Sequence, residues 1–421
     1  MRTMFLIGML AAVVLPARCA DKMTVSQLEQ ILERHAAQDR EPAKKHNSGA
    51  TDEIVDISDG DLLQQLDQDD ELIPQIAGME LTERLSTLTM YRFIGKYNLG
   101  AHVQQVLEQL ADRSALLRIP ESEQLRRPPP NAAEQQKMLQ ESRAYVLREL
   151  SHLPNFMATE TTSRFDDSPT TLKYFQAMTD HAGFHRVGSM QRKITFQDGK
   201  EVTDGTLGTD PAKRKEFGLD SRGEFGTEAA VVLMDVEKGS ILFDHWEQSM
   251  AGPSAIYQYS VPRESSHYEV TSACPDHVSF HDTPGYHGEL GLDPQTGAIS
   301  RMTLEADSKP TDPVSHVASV IEYGMVVLGS RRSICPLRSL TFMIEESNGC
   351  GHGNHKLQKP VTMINQTIFS NYHRFGSNAT LIFDEAGNIH ASPGGTPERP
   401  STGGEKGLPI APAVREQNKH P

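Results

Sequence analysis

Between residues 156 and 383 apolar and polar side chains alternate with a period of two, in runs separated by turn-forming residues. A period of two places successive side chains on opposite faces of a strand, so these runs predict one large antiparallel sheet. The predicted strands open with residues 156–165 and 193–197, and an Asp198-Gly199 turn of the favoured hairpin type leads into 200–202. They continue as 241–248, 255–261, 267–272, 286–292, 298–306, 316–328, 337–345, 362–375 and 380–383. Tyr257, Tyr259 and Val261 share a face, as do Met302, Leu304 and Ala306, and as do Leu340, Phe342 and Ile344. An apolar face of that size must be covered. The candidates are one internal helix, 228–237, and a longer one, 132–150, whose Met138, Leu139, Tyr145, Val146 and Leu150 recur at helical spacing.

Residues 23–152 carry helical rather than alternating periodicity. Thr24 and Gln27 fit a capping box ahead of Val25, Leu28, Ile31 and Leu32. Leu62, Leu63 and Leu66, then Leu72, Ile73 and Ile76, form a second amphipathic stretch, followed by Leu81, Leu85 and Leu88 and by Val103, Val106, Leu107 and Leu110. Arg126-Arg127-Pro128-Pro129-Pro130 predicts a stiff, extended linker. The fold class expected is therefore α+β: a helical region over 21–127, a linker and long helix over 128–152, and a curved antiparallel half-barrel over 153–386. Residues 387–421, rich in Pro and Gly, predict a disordered tail.

The ends and the charge narrow the setting. A basic start, an apolar run from Met4 to Leu15 and small residues after it make residues 1–20 a secretory signal. The expected location is periplasmic or extracellular, without a transmembrane anchor once the signal is removed; a lipid anchor at Cys19 is the alternative. A formal charge of −15 disfavours a nucleic-acid partner, whose phosphates demand a basic face. Much of the acidity lies between Asp52 and Glu71 and lacks the spacing of a calcium loop, so it predicts a solvated charge run. Past Cys19, three cysteines remain. Cys274 ends one predicted strand and Cys335 precedes another, so a Cys274–Cys335 disulfide is expected, with Cys350 left over.

Four stretches carry a family likeness: Leu153-Pro-Asn-Phe-Met-Ala-Thr-Glu-Thr-Thr, Gly285-Tyr-His-Gly, Asp293-Pro-Gln-Thr-Gly-Ala-Ile-Ser-Arg-Met-Thr-Leu-Glu-Ala, and Phe369-Ser-Asn-Tyr-His-Arg-Phe-Gly. Together they resemble a group of secreted bacterial proteins with no assigned activity. The long sheet with its Asp-x-x-Thr-Gly hairpin is also similar to the half-barrels of lipoprotein carriers and envelope-stress sensors. That resemblance implies a concave face that holds acyl chains, and a lipid, a lipidated partner or an envelope protein as what is bound.

Candidate chemistry is sparse. No Gly-x-Ser-x-Gly elbow and no phosphate-binding loop is present. Glu345 and Glu346 are adjacent, so a strand points them to opposite faces and they cannot work as an acid–base pair. His181 and His185 have the spacing of two ligands on a helix but lack a catalytic Glu between them. Cys350, His352 and His355 form one ligand-type cluster, and His277, His281 and His287 near Cys274 form another; a metal-dependent hydrolase built on the latter is one alternative. Another is an interaction module acting through the N-terminal helices. The leading expectation is a non-catalytic protein, without cofactor, that binds an apolar ligand in a concave face lined by Trp246, Tyr257, Met302, Leu304 and Phe342.

Overall fold

The computed structural model describes residues 21–38, 72–167, 184–197, 200–203, 224–250, 252–272, 280–309, 311–346, 360–375, 381–383 and 389–391. The signal region, the acidic run, Cys274, Cys350, His181, His277, His352 and His355 lie outside the described residues. The chain divides into two compact units, residues 1–374 and 375–421.

The first unit is α+β. Its strands are β1 (Asp21–Met23), β2 (Met79–Leu81), β3 (Phe156–Asp166), β4 (His185–Gln197), β5 (Lys200–Thr203), β6 (Ser240–Ser249), β7 (Gly252–Val261), β8 (Val270–Ser272), β9 (Phe280–Asp282), β10 (Tyr286–Leu292), β11 (Ile299–Ala306), β12 (Val314–Leu328), β13 (Arg331–Glu345) and β14 (Val361–Arg374). Its longer helices are α1 (Val25–Gln38), α2 (Thr87–Tyr97), α3 (Ala101–Arg113), α4 (Ala132–His152) and α5 (Thr227–Asp235). Ten strands form an open antiparallel sheet in the order β5-β4-β3-β14-β13-β12-β11-β10-β7-β6. In the second unit β15 (Leu381–Phe383) pairs with β16 (Ile389–Ala391). Residues 381–383 therefore make a separate hairpin instead of closing the large sheet.

Two expected strands differ in extent for a clear reason. β4 and β13 begin earlier than alternation suggests, because their first halves, His185-Arg-Val-Gly-Ser-Met-Gln-Arg and Arg331-Arg-Ser-Ile-Cys-Pro, are too polar or irregular to show a period. Residues 267–272 contribute only β8, which pairs with β9 outside the main sheet. The buried carboxylate of Asp235 holds the chain there, accepting from His267 N at 2.9 Å and meeting His267 Nδ1 at 2.5 Å.

The sheet separates two layers of different chemistry. On one face, α4 and α5 cover an aromatic core that includes Tyr257, Tyr259, Tyr286, Leu290, Met302 and Leu304. The hairpin turn before β11 locks onto α4: Asp293 Oδ1 accepts from Gln295 N and Thr296 N, both at 2.8 Å, and Gly297 adopts φ +73°. A Cβ on Gly297 would stand 2.5 Å from the α4 backbone at Glu141 and Ser142, so only glycine permits this approach.

The opposite face carries the helical layer, which has its own core of Leu28, Leu32, Ile76, Phe93, Leu107 and neighbours. The capping box at α1 forms in both directions, Thr24 N to Gln27 Oε1 at 2.8 Å and Gln27 N to Thr24 Oγ1 at 3.2 Å. This layer meets the sheet through a small apolar contact, Ala115 against Ala318, Val320, Leu340, Phe342 and Ile364. Beyond it the seam holds a set of buried ion pairs. Arg84 pairs with Glu247 and lies 3.6 Å from Glu289, which Arg301 contacts at 3.0 Å; Arg338 pairs with Asp112, and Gln366 Nε2 donates to Asp112 Oδ2 at 3.1 Å. Burial alone would raise the Glu247 carboxyl, but Arg84, His245 and Arg301 outweigh it and hold the pKa down at about 2.

Candidate ligand site on the covered face

A single row of cross-strand neighbours defines the chemistry under α4 and α5. It runs Thr162, Thr367, Ser339, Ile321, Met302, Leu290, Tyr257 and Phe243, from β3 to β6 in register. Three positions at the β3 end of this row carry hydroxyls, and the five from Ile321 to Phe243 are apolar or aromatic. At the hydroxyl end Thr162 Oγ1 donates to Glu160 Oε1 at 3.2 Å and lies 3.0 Å from Thr367 Oγ1, while Arg192 Nε reaches Glu160 at 2.6 Å. Ser339 Oγ is buried with no hydrogen-bond partner among the described residues. Aromatic rings flank one end of this strip, with Phe156 stacked on Phe196 at 5.2 Å and tilted against Phe225 at 5.5 Å.

The start of α5 sits where the two stretches meet. Gly226 is its N-cap with φ 112°, a left-handed conformation that spares the turn a side chain. Glu224 lies in the turn before Gly226, and Glu228 in the first turn of α5 after it. Glu228 is half-buried, and its carboxylate accepts from Ser319 Oγ at 2.7 Å. Burial raises its pKa to about 7, Ser319 working against that rise and the Glu224 charge adding to it. Tyr259, Tyr268, Tyr286 and Tyr323 all lie within range of the Glu228 charge, and burial, with that charge, pushes each phenol up. Tyr259 donates to Thr303 O at 2.7 Å and Tyr286 to Asp235 Oδ2 at 2.9 Å. The Tyr323 hydroxyl is buried and has no hydrogen-bond partner among the described residues.

Beside this group lies a cavity of about 40 Å³ with apolar walls that include Tyr145, Val146, Phe225, Gly226, Ala229 and Tyr323. That is room for a water or two, not for an alkyl chain. A roomier cleft of about 410 Å³ opens at Thr82, Glu83, Arg118, Ile119, Glu121 and Gln124. Its walls are mainly polar and Arg118 is engaged there with Asp244 at 2.9 Å, so it offers an apolar ligand little.

The five expected lining residues do not line one open cavity. Trp246, Tyr257, Met302 and Leu304 do share a face, but they are packed into the filled core beneath α4 and α5. Phe342 points the other way. It pairs with Ala318, whereas Met302 pairs with Ile321; Ala318 and Ile321 are an odd number of positions apart on β12 and so face opposite sides. Trp246 also has an outside tie, donating through Nε1 to Pro128 O at 3.0 Å, which lays the proline linker along β6.

The alternative metal set is described only in part. His281 Nδ1 lies 3.1 Å from Thr271 Oγ1 on the small β8–β9 pair, His287 Nδ1 lies 2.9 Å from Asp307, and His277 is outside the described residues. Among the described residues no three ligating side chains converge. The expected Cys274–Cys335 bridge falls outside the described residues at its Cys274 end; Cys335 itself is buried on β13 among Phe156, Phe225 and Phe369. Asn365, in an Asn-x-Thr acceptor triplet, is buried within β14.

Glu228 was the residue pattern reading passed over. An acidic residue in the first turn of a helix is ordinary, because the helix dipole favours it there. The available signal was a Glu-Phe-Gly-Thr-Glu approach to a helix otherwise wholly apolar over Ala229–Met234, where a carboxylate has to turn inward or cap.

No family model matches the chain, and no curated protein matches it. Among solved structures, the complex of MucA and MucB from Pseudomonas aeruginosa aligns over 53% of this chain and 93% of that one, at 12% identity and a TM-score of 0.18, too loose a superposition to carry a shared fold or function.

Proposed function

We propose that this chain is an exported, non-catalytic binding protein whose covered sheet face takes an apolar or lipidated ligand when α5 yields. Export rests on the pattern of residues 1–20; among the described residues no helix is long and apolar enough to cross a membrane. The observation that carries the reading is the closure of the apolar stretch by α4 and the nine-residue α5, with an apolar cavity already beneath the start of α5.

A helix of this length is marginal alone and depends on its packing. α5 buries Val232, Leu233 and the following Val236, side chains worth roughly 1.5–3 kcal/mol each. A twelve-carbon chain gains on the order of 10 kcal/mol at ~0.8 kcal/mol per buried methylene. An acyl chain is therefore a sufficient replacement for α5 on the sheet. A lipidated envelope protein presents the same chain and falls under the same reading.

Native mass spectrometry of the protein purified from its own envelope, set against the denatured sample, tests this. Added mass of lipid size that is lost on denaturation supports the reading; a bare chain that also takes up no long-chain alcohol on titration defeats it.

A further inference from the structure

We infer that the β12–β13 hairpin is a docking surface for an anionic lipid bilayer, its arginine-bearing turn meeting the phosphates while the exposed Met325 and Val327 enter the interface. The inference goes beyond the binding role proposed above and stands without it.

The hairpin presents apolar and basic side chains together. Leu328 pairs with Arg331 across a two-residue turn, Gly329-Ser330, in which Gly329 adopts φ +67°. Behind the turn Val326 and Leu328 pack into the core that holds Phe156 and Phe225. Alternation sends Met325 and Val327 to the other face, where they are 57% and 62% exposed. Their cross-strand partners are the half-buried Ile334 and the exposed Arg332. Two residues further along the same face Tyr323 pairs with Pro336, and these two border the apolar cavity beneath α5, as does Ile334. An apolar row thus runs along one face of the hairpin from the turn to that cavity.

Charge selects the occupant. Between Glu322 and Glu345 the chain has no Asp or Glu, although its formal charge is −15 overall. Arg331 and Arg332 are exposed at the turn, and the exposed Arg374 lies against it: a Cβ on Gly329 would stand 3.3 Å from Arg374 Cδ. Exposed apolar side chains beside guanidiniums match the two levels of a bilayer surface, the acyl boundary and the phosphates above it, and the arginine stems lie along the first while their heads stay with the second. A zwitterionic surface rewards only the apolar part. A net anionic one adds about a fivefold gain for each arginine that reaches it.

The test is co-sedimentation of the mature chain with vesicles of phosphatidylcholine alone and of phosphatidylcholine mixed with phosphatidylglycerol. The mixed vesicles should bind tenfold or more tighter, and high salt should weaken that preference by screening the arginines. Arg332→Gln together with Arg374→Gln should lower binding to the mixed vesicles tenfold or more and leave binding to phosphatidylcholine unchanged. Met325→Ser together with Val327→Ser should weaken binding to both vesicles several-fold and keep the lipid preference. All four side chains are exposed, so both variants should melt with the unaltered chain. Met325→Trp supplies a second readout, a blue shift of emission on the mixed vesicles that the unaltered chain does not show. Failure to bind the mixed vesicles overturns the inference, and so does binding that neither pair of substitutions changes, which would lie elsewhere on the chain. Self-association without lipid that Met325→Ser with Val327→Ser removes would give the row to a second copy and overturn it as well. Dodecanol uptake is read separately, so loss of the binding role and loss of the docking role remain distinguishable.

Discussion

Replacing Arg84 by Met removes the central cation of the seam between the helical layer and the sheet. Arg84 is 5% exposed, pairs with Glu247 and lies 3.6 Å from Glu289. In the variant Glu247 keeps only His245, at 3.5 Å, and the more distant Arg301. The Glu247 carboxyl sits at about 2 against an ordinary 4.5, a difference worth about 3 kcal/mol at 1.36 kcal/mol per pH unit. Loss of one partner from a buried ion pair costs about 3–5 kcal/mol in general, in agreement. Because the folded pKa is depressed, this stability is fully present above pH 4.5 and is lost as pH falls toward 2. His245 runs in the opposite sense: Glu247 and Asp244 outweigh burial and raise it, so its contribution is present below its ordinary range and lost as pH rises through the raised value. Urea unfolding followed by Trp246 fluorescence should give Arg84→Met a deficit of about 3 kcal/mol at pH 7 that narrows steadily toward pH 3. The double replacement Arg84→Met with Glu247→Leu should recover most of it. A deficit below about 1 kcal/mol at pH 7, or one that does not change with pH, refutes the ionic account of the seam.

Other expectations follow from single contacts. Gly297→Ala must place a methyl against the α4 backbone at positive φ, and should lower stability by about 2 kcal/mol or more in thermal melts. Thr24→Ala breaks the reciprocal cap of α1 and should cost about 1 kcal/mol, measured by denaturant unfolding. Leu304→Ala, in the filled core, should cost about 2–5 kcal/mol by the same measurement.

Most of the sheet was legible because alternation survives wherever one face is apolar. Tyr286–Leu292 and the hairpin into β11 are read directly from Leu290, Leu292, Met302 and Leu304 and from the Asp293–Gly297 turn. What hid the rest was tertiary. The ionic seam joins Arg84 to Glu247 and Glu289 across the fold, and no local period marks such a pair. Glu160, Thr162, Ser339 and Thr367 are polar side chains that nonetheless lie buried, which no local pattern marks. Face assignment between strands also escaped pattern reading: alternation within β13 groups Leu340 with Phe342, but only the register to β12 sets that pair on the face opposite Met302. The site at α5 was hidden by the ordinariness of an acidic first turn.

The most direct measurement uses the chain's one tryptophan, Trp246, which lies in the aromatic core that α5 closes, 5.5 Å from Phe243 between ring centroids. Titration with dodecanol brominated along its chain should quench Trp246 saturably, at the concentration where calorimetry shows one molecule bound. Binding that leaves Trp246 unquenched, or no binding, would contradict a ligand chain on the covered face.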